Sequence, residues 1–421
     1  MPVNRKRVAV GISGGVDSAV SALLLKKAGY DVVGVHLYCW PPKSEIEKDG
    51  GTRAGWIKKN GCRADEDRAS ALKTALEVGI PFKVLDFSEE YNQKVIKYFY
   101  EEYEAGRTPN PDVLCNSEIK FGLFLDWAME NGFDYIATGH YASLRHCESR
   151  IRAEAIHLLD RHVGVPSRDD ECVGLFIPAD KHKDQTYFLW KLTQKELAHV
   201  LFPLGGLLKS EVREIAREAG LSVADKKDSQ GICFVGNVDV REFLARRLKV
   251  KTGEVLDVEG NVVGKHDGVW FYTIGQRGGW VLNPKSQKRA MQHSRLPRSR
   301  HGGQVARNDE LGTPIYYVIS KDAKTNILVV GEANEAVRDQ FEVGEISWIN
   351  SMRLPRRKLL AMTELFVRIR HGGELIRVEL DSVSEHGMTV GTERELFGVA
   401  SGQSAVFYNG KGECLGGGVI Q

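Results

Sequence analysis

Residues 8–12, Val-Ala-Val-Gly-Ile, form an unbroken apolar run, and Ser13-Gly14-Gly15-Val16-Asp17-Ser18 follows it directly. A run of this length reads as a strand buried on both faces. The two glycines supply a turn in which positive φ carries no steric penalty. Asp17 and Ser18 then open the periodic run Ala19-Val20-Ser21-Ala22-Leu23-Leu24-Leu25, which predicts a helix ending near Gly29. A strand, a glycine turn and a helix N-terminus in that order make a nest of backbone N–H groups facing an anion.

The loop's chemistry narrows the reaction class. A Walker-type loop needs Gly-Lys-Ser/Thr, and no lysine lies between Val8 and Leu25. Serine hydroxyls and backbone amides without that lysine suit a pyrophosphate that leaves as a unit, which favours nucleotidyl transfer. Asp17 is the candidate ligand for Mg²⁺.

Further strands are predicted over residues 31–37, 82–86 and 135–138, with helices over 65–78 and 91–103 between them. This alternation indicates the α/β class, a doubly wound parallel sheet with its ligand at the carboxyl ends of the strands. Leu37 and Gly139 fall at such ends. On position alone, Leu37 is equally an adenine contact or a core leucine. The polar excursion at 41–61 reads as a mobile loop beside the nucleotide.

Residues 106–116, Gly-Arg-Thr-Pro-Asn-Pro-Asp-Val-Leu-Cys-Asn, carry two prolines that hold the backbone out of a helix until about Asn116, a good N-cap. Cys115 is thus expected at or just before a helix N-terminus, where the dipole favours a thiolate. Asp112 is placed to accept a proton or to hold a substrate. A buried structural cysteine is the alternative. Cys233, in Gly231-Ile232-Cys233-Phe234, reads by itself as core. The segment 143–178 is polar and irregular, a surface insertion.

From about Val235 short alternating strands replace the βα units, and residues 315–420 suggest a small all-β barrel. The expected domains are 1–234, 235–311 and 312–421. Residues 284–307 hold seven lysines and arginines and no acid, a candidate RNA contact. The whole chain is nearly balanced, at +2 with a pI near 8.1, so nucleic-acid affinity has to come from local patches. No apolar run reaches spanning length, and the first strand begins within about seven residues of Met1, which leaves no room for a leader. Seven cysteines with no C-x-x-C pair argue against a disulfide framework and point to a reducing cytoplasm.

Seven motifs occur in one order: residues 13–18, Thr108-Pro-Asn-Pro-Asp-Val-Leu-Cys-Asn116, Thr138-Gly-His-Tyr-Ala142, Lys183-Asp-Gln-Thr-Tyr-Phe-Leu189, Gln230-Gly-Ile-Cys-Phe234, Tyr272-Thr-Ile-Gly-Gln-Arg277 and Gly402-Gln-Ser-Ala-Val-Phe-Tyr408. Together the chain resembles the tRNA-specific 2-thiouridylase family of the ATP pyrophosphatase (PP-loop) superfamily. The resemblance implies an adenine nucleotide alpha hydrolase-like catalytic domain, a small central domain that contacts tRNA, and a C-terminal β-barrel. It implies ATP-dependent thiolation of a wobble uridine, with ATP and Mg²⁺ as cofactors, a persulfide donor or carrier protein as partner, no membrane, and a monomer when free. Gly11, Ile12, Ser13, Gly14, Gly15, Val16, Asp17, Ser18, Leu37 and Gly139 match the ATP contacts. Asn110, Pro111, Asp112, His140, Lys183, Asp184, Gln185, Arg370, His371 and Gln403 match the tRNA contacts. By the same resemblance Cys233 would carry the persulfide, Cys115 would be its partner nucleophile, which either releases hydrosulfide or resolves the persulfide through a Cys115–Cys233 disulfide, and Asp112 would act at the flipped base.

The chain departs from the family pattern at several points. Leu37 replaces a common methionine, and Arg370-His371-Gly372 stands where Arg-Tyr-Arg is usual. Residues 145–178 and 284–309 are longer than usual, and the second is expected to touch the tRNA body. Three other readings stay open on sequence alone: an amidotransferase-like synthetase, a non-enzymatic RNA-binding protein, and an iron–sulfur cluster on the two cysteines.

Overall fold

The structure is a computed structural model that describes residues 5–48, 51–60, 63–146, 172–227, 239–283, 316–350, 364–383 and 387–421. Cys233 and the basic segment 284–309 lie outside the described residues.

The strand Arg7–Gly11 is the centre of a five-stranded parallel sheet. It pairs with Asp31–Tyr38 on one side and Tyr135–Ala137 on the other. Phe82–Asp86 lies beyond the former and Val200–Leu201 beyond the latter. Alternation along this strand decides which helices cover each face. Val8 and Val10 pack against Ala22, Leu25, Ala71 and Ala75, from helices Val16–Lys27 and Ala64–Val78. Ala9 points the other way, into the larger cluster with Phe99, Ile119 and Phe124. The sheet is doubly wound, and the chain reverses its direction of travel beside the first strand, so the crevice opens at that strand's carboxyl end.

Two local expectations change. Residues 41–61 contain helices Lys43–Lys48 and Arg53–Asn60 instead of a featureless loop. Trp56 anchors them, buried edge-on against Trp40 with ring centroids 6.0 Å apart. The helix expected to begin near Asn116 begins at Pro111 and runs through to Glu130, with wide turns over Cys115–Leu123. Proline at the first helical position has a preset φ and no N–H to leave unpaired, so it starts the helix. Cys115 therefore sits beyond the first turn, where the dipole effect has fallen away.

The expected surface insertion has structured ends. Ser143–His146 and Val173–Phe176 form an antiparallel hairpin. Leu175 and Phe176 then pair with Cys414 and Glu413 of the final strand, so the hairpin extends the C-terminal sheet.

The central sheet runs in the order Val281–Leu282, Val262–His266, Gly253–Leu256, Ile327–Gly331, Tyr317–Asp322. Its last two strands were expected in the C-terminal barrel. They stay with the central sheet because Ile327–Val329 pairs in parallel with Glu254–Leu256. The barrel comprises Val337–Trp348, Leu365–Arg368, Ile376–Val383, Met388–Phe397, Ser404–Asn409 and Glu413–Ile420. Pairing of Val343 with Ile420 closes it around Val367, Val390 and Phe407.

Candidate active site

The loop after the first strand is shaped by two glycines. Gly14 has φ +81°, and a Cβ there would lie 2.6 Å from the Asp67 carbonyl oxygen. A Cβ on Gly139 would lie 2.7 Å from the Ser18 backbone nitrogen, so the end of the fourth strand can abut the loop only as glycine. Ser18 Oγ donates to the Gly15 carbonyl at 3.1 Å and accepts the Ser13 N–H at 3.2 Å. Its own hydroxyl therefore braces the turn.

This loop forms one wall of a cavity of about 540 Å³. Every residue matched to the nucleotide except Gly14 lines it, Leu37 and Gly139 included. Asp112, His140, Lys183, Gln185 and His371 line the same cavity, which brings together residues from four of the sequence motifs and the barrel.

Two lysines that sequence reasoning missed reach the loop. Lys209 Nζ lies 2.7 and 2.8 Å from the two carboxylate oxygens of Asp17, and Tyr141 Oη donates to the same group at 2.9 Å. Lys226 Nζ donates to the Gly14 carbonyl at 2.8 Å and to Asp67 at 3.1 Å. The cation absent from the loop's own sequence is thus supplied from far downstream. Asp17 fits poorly as a Mg²⁺ ligand here, since both its oxygens are engaged and its charge is balanced by an ammonium.

On the substrate side, Asp112, Asn116 and Lys120 face the cavity from the helix that starts at Pro111. Cys115 is fully buried beside them and is not part of the wall. Opposite stand Phe188 and His371, their rings 4.6 Å apart at 32°. His140 is buried, with Nδ1 2.7 Å from Thr138 Oγ1, and burial holds its pKa well below the usual histidine value. His36, whose Nδ1 meets the Ile12 carbonyl at 3.0 Å, and His371 are lowered for the same chief reason.

Five residues matched to tRNA contacts do not line the cavity. Asn110 is the N-cap residue of the Pro111 helix. Asp184 is buried in an ion pair with Arg368. Arg370 donates to the carbonyls of Phe397 and Gly398 at 3.0 and 2.8 Å. Gln403 Nε2 donates to the carbonyls of Thr108 and Pro109 at 3.0 and 3.2 Å, which holds the lead-in to Pro111 from the barrel. Pro111 itself opens the helix.

Comparisons with known proteins agree with this layout. Three domain profiles match in series: a tRNA methyl transferase HUP domain over residues 6–237, a tRNA methyl transferase PRC-barrel domain over 241–291, and an aminomethyltransferase β-barrel domain over 338–420. The proteins named tRNA-specific 2-thiouridylase MnmA from Lactococcus lactis subsp. cremoris (strain SK11) and Enterococcus faecalis (strain ATCC 700802 / V583) are each 39% identical to it. They align over 98% and 99% of this chain and 94% and 96% of their own. The chain belongs to the tRNA-specific 2-thiouridylase family. The corresponding protein of Streptococcus uberis is 40% identical over 98% of this chain and 95% of its own. Among solved structures, a 4-thiouridine synthetase–RNA complex with bound ATP matches at 16% identity and a TM-score of 0.31, over 55% of this chain and 46% of that one. A likeness so distant adds nothing to the family assignment. Among the described residues, no helix is long and apolar enough to cross a membrane.

Proposed function

We propose that this family member is an ATP-dependent tRNA sulfurtransferase that converts a wobble uridine to 2-thiouridine. One observation carries the reading: a single cavity joins the lysine-flanked anion loop to the helix face that bears Asp112 and lies against Cys115. Uracil O2 is a poor leaving group, so it has to be activated before sulfur can replace it. On this reading the loop of residues 13–18 holds the phosphates of ATP while uracil O2 attacks the α-phosphorus and pyrophosphate departs. Leu37 and Gly139 flank the adenosine, while Lys209 and Lys226 neutralise the Asp17 and Asp67 carboxylates that would otherwise repel the phosphates. Mg²⁺ would enter with the nucleotide and would neutralise phosphate charge, since Lys209 and Tyr141 already engage Asp17.

Sulfur comes from a persulfide on Cys233, loaded by an external donor or carrier. Cys115 attacks the inner sulfur, a Cys115–Cys233 disulfide forms, and the released hydrosulfide adds at uracil C2 and expels AMP. A thiol reductant outside the protein then restores both cysteines. Asp112, three residues before Cys115, accepts the thiol proton. Burial of Cys115 keeps it from oxidants until tRNA engages the site. His140, Lys183, Gln185 and His371 hold the flipped nucleotide, and the free protein is a monomer.

The test is nucleoside mass spectrometry of tRNA incubated with ATP and a persulfide donor, with wild type beside Cys233→Ser and Cys115→Ser. 2-Thiouridine should appear with wild type alone. Equal product from all three proteins would remove the cysteines from the reaction, and no product from wild type would remove the reaction itself.

A further inference from the structure

Among the described residues, the buried side-chain oxygen of Asn116 has no hydrogen-bond partner. Such groups are uncommon, because leaving one unsatisfied costs about 1–3 kcal/mol. The amide cannot relieve this by turning over. Its Nδ2 donates to the Phe188 carbonyl at 3.1 Å, and the flipped amide would set two carbonyl oxygens against each other. Asn116 is therefore pinned as an acceptor in the wall of the cavity, one helical turn from Asp112 and beside Phe188 and His371.

This inference rests on the uridine reading above. Uracil and cytosine have the same C2 carbonyl, so the chemistry at C2 does not separate them. They differ at N3 and C4: uracil N3 bears a hydrogen, whereas cytosine N3 is an acceptor. We propose that Asn116 Oδ1 accepts the N3–H of the target uracil and thereby sets specificity for uridine. A cytosine seated in the same pose would place its N3 lone pair against that oxygen, and the cost of the orphaned acceptor would remain. The neighbouring Phe188 and His371 rings supply an aromatic flank for the base, while Asn116 reads its edge.

The test uses anticodon stem-loop RNAs with uridine, cytidine or 3-methyluridine at the target position, the last having lost its N3–H. Wild type, Asn116→Ala and Asn116→Asp are compared by initial rates of thiolation, with KM for ATP measured in parallel. Wild type should favour uridine over 3-methyluridine by at least about 100-fold, since a site built around an N–H rejects the analogue without it. In Asn116→Ala, which also vacates space for the methyl group, that ratio should fall at least about ten-fold, the worth of one such hydrogen bond. KM for ATP should not change. Asn116→Asp keeps an acceptor but sets a second oxygen against the Phe188 carbonyl, so its rate should fall while the activity that survives keeps the preference. Equal rates of wild type on uridine and 3-methyluridine would overturn the proposal even if no variant folds. A wild-type ratio in Asn116→Ala would overturn it as well, leaving uridine thiolation intact. Failure of wild type to thiolate uridine at all would remove the functional reading and this inference together.

Discussion

Asp184 and Arg368 form an ion pair 2.6 Å long with side chains only 2% and 9% exposed, and it joins the cavity-lining segment to a strand of the barrel. Asp184 Oδ1 also accepts the Thr186 N–H at 2.9 Å and its hydroxyl at 2.7 Å, and that hydroxyl meets Tyr408 Oη at 3.0 Å. The pair sets the turn from which Lys183 and Gln185 face the cavity. Asp184→Asn strands the Arg368 charge in the interior and should lower stability by about 3–5 kcal/mol. Urea unfolding measures it. An unchanged midpoint together with a selective loss of tRNA affinity would instead place Asp184 at the RNA.

Gly139→Ala puts a methyl group 2.7 Å from the Ser18 nitrogen. That nitrogen and the Asp17 carbonyl carbon, at 2.9 Å, are both backbone atoms, so the loop has to move. A displacement of that kind typically costs on the order of 100-fold in rate. ATP turnover in the presence of tRNA should fall by that order, while tRNA binding by filter assay should not change. Wild-type turnover would show that the strand end and the loop are not held together as described.

Lys209→Met leaves Asp17 with Tyr141 as its hydrogen-bond donor and an unbalanced negative charge beside the anion nest. KM for ATP should rise by roughly ten-fold or more, as expected when one member of a charge pair is removed. Asp17→Asn in the same background should recover part of the loss. Equal KM values for wild type and Lys209→Met would mean that the ammonium plays no part in nucleotide binding.

His140 binds its proton less readily in the folded protein than in the unfolded chain, because burial disfavours the cation. Its neutral form is therefore the stabilising one. That contribution is complete above the ordinary histidine pKa of 6.5 and declines as pH falls below it. His36 and His371 act in the same direction. Stability should drop between pH 6.5 and 5, by at most about 1.4 kcal/mol per pH unit for His140 alone. His140→Gln should flatten that part of the profile in urea titrations at successive pH values. A profile equally steep in the variant would assign the effect to other groups.

The parallel sheet and its ligand-facing loop were legible because their signals are local: an apolar run, a glycine turn and a periodic helix occupy consecutive residues. Leu37 and Gly139 could be placed at strand ends for the same reason. Lys209 and Lys226 could not be found this way, being 192 and 212 positions from the residues they bind. Nothing in their own surroundings marks them as nucleotide-facing. The two strands at 317–331 were misplaced because alternation identifies a strand but not its neighbour, and the partner at Gly253–Leu256 lies across a long segment. Cys115 was set at a helix start because Pro111 was read as a barrier, when proline in the first turn is a beginning. Asp184 and Gln403 fall within recognisable motifs, yet their side chains hold the protein's own parts together.

The hairpin of Ser143–His146 and Val173–Phe176 has a consequence for how the protein is made. The free edge of Val173–Phe176 is covered by residues 413–414, which leave the ribosome more than two hundred residues later. At roughly 5–20 residues per second, that interval is on the order of tens of seconds. Throughout it the nascent chain presents an unpaired β-edge, which makes a stalled or truncated product prone to pairing with a neighbouring chain.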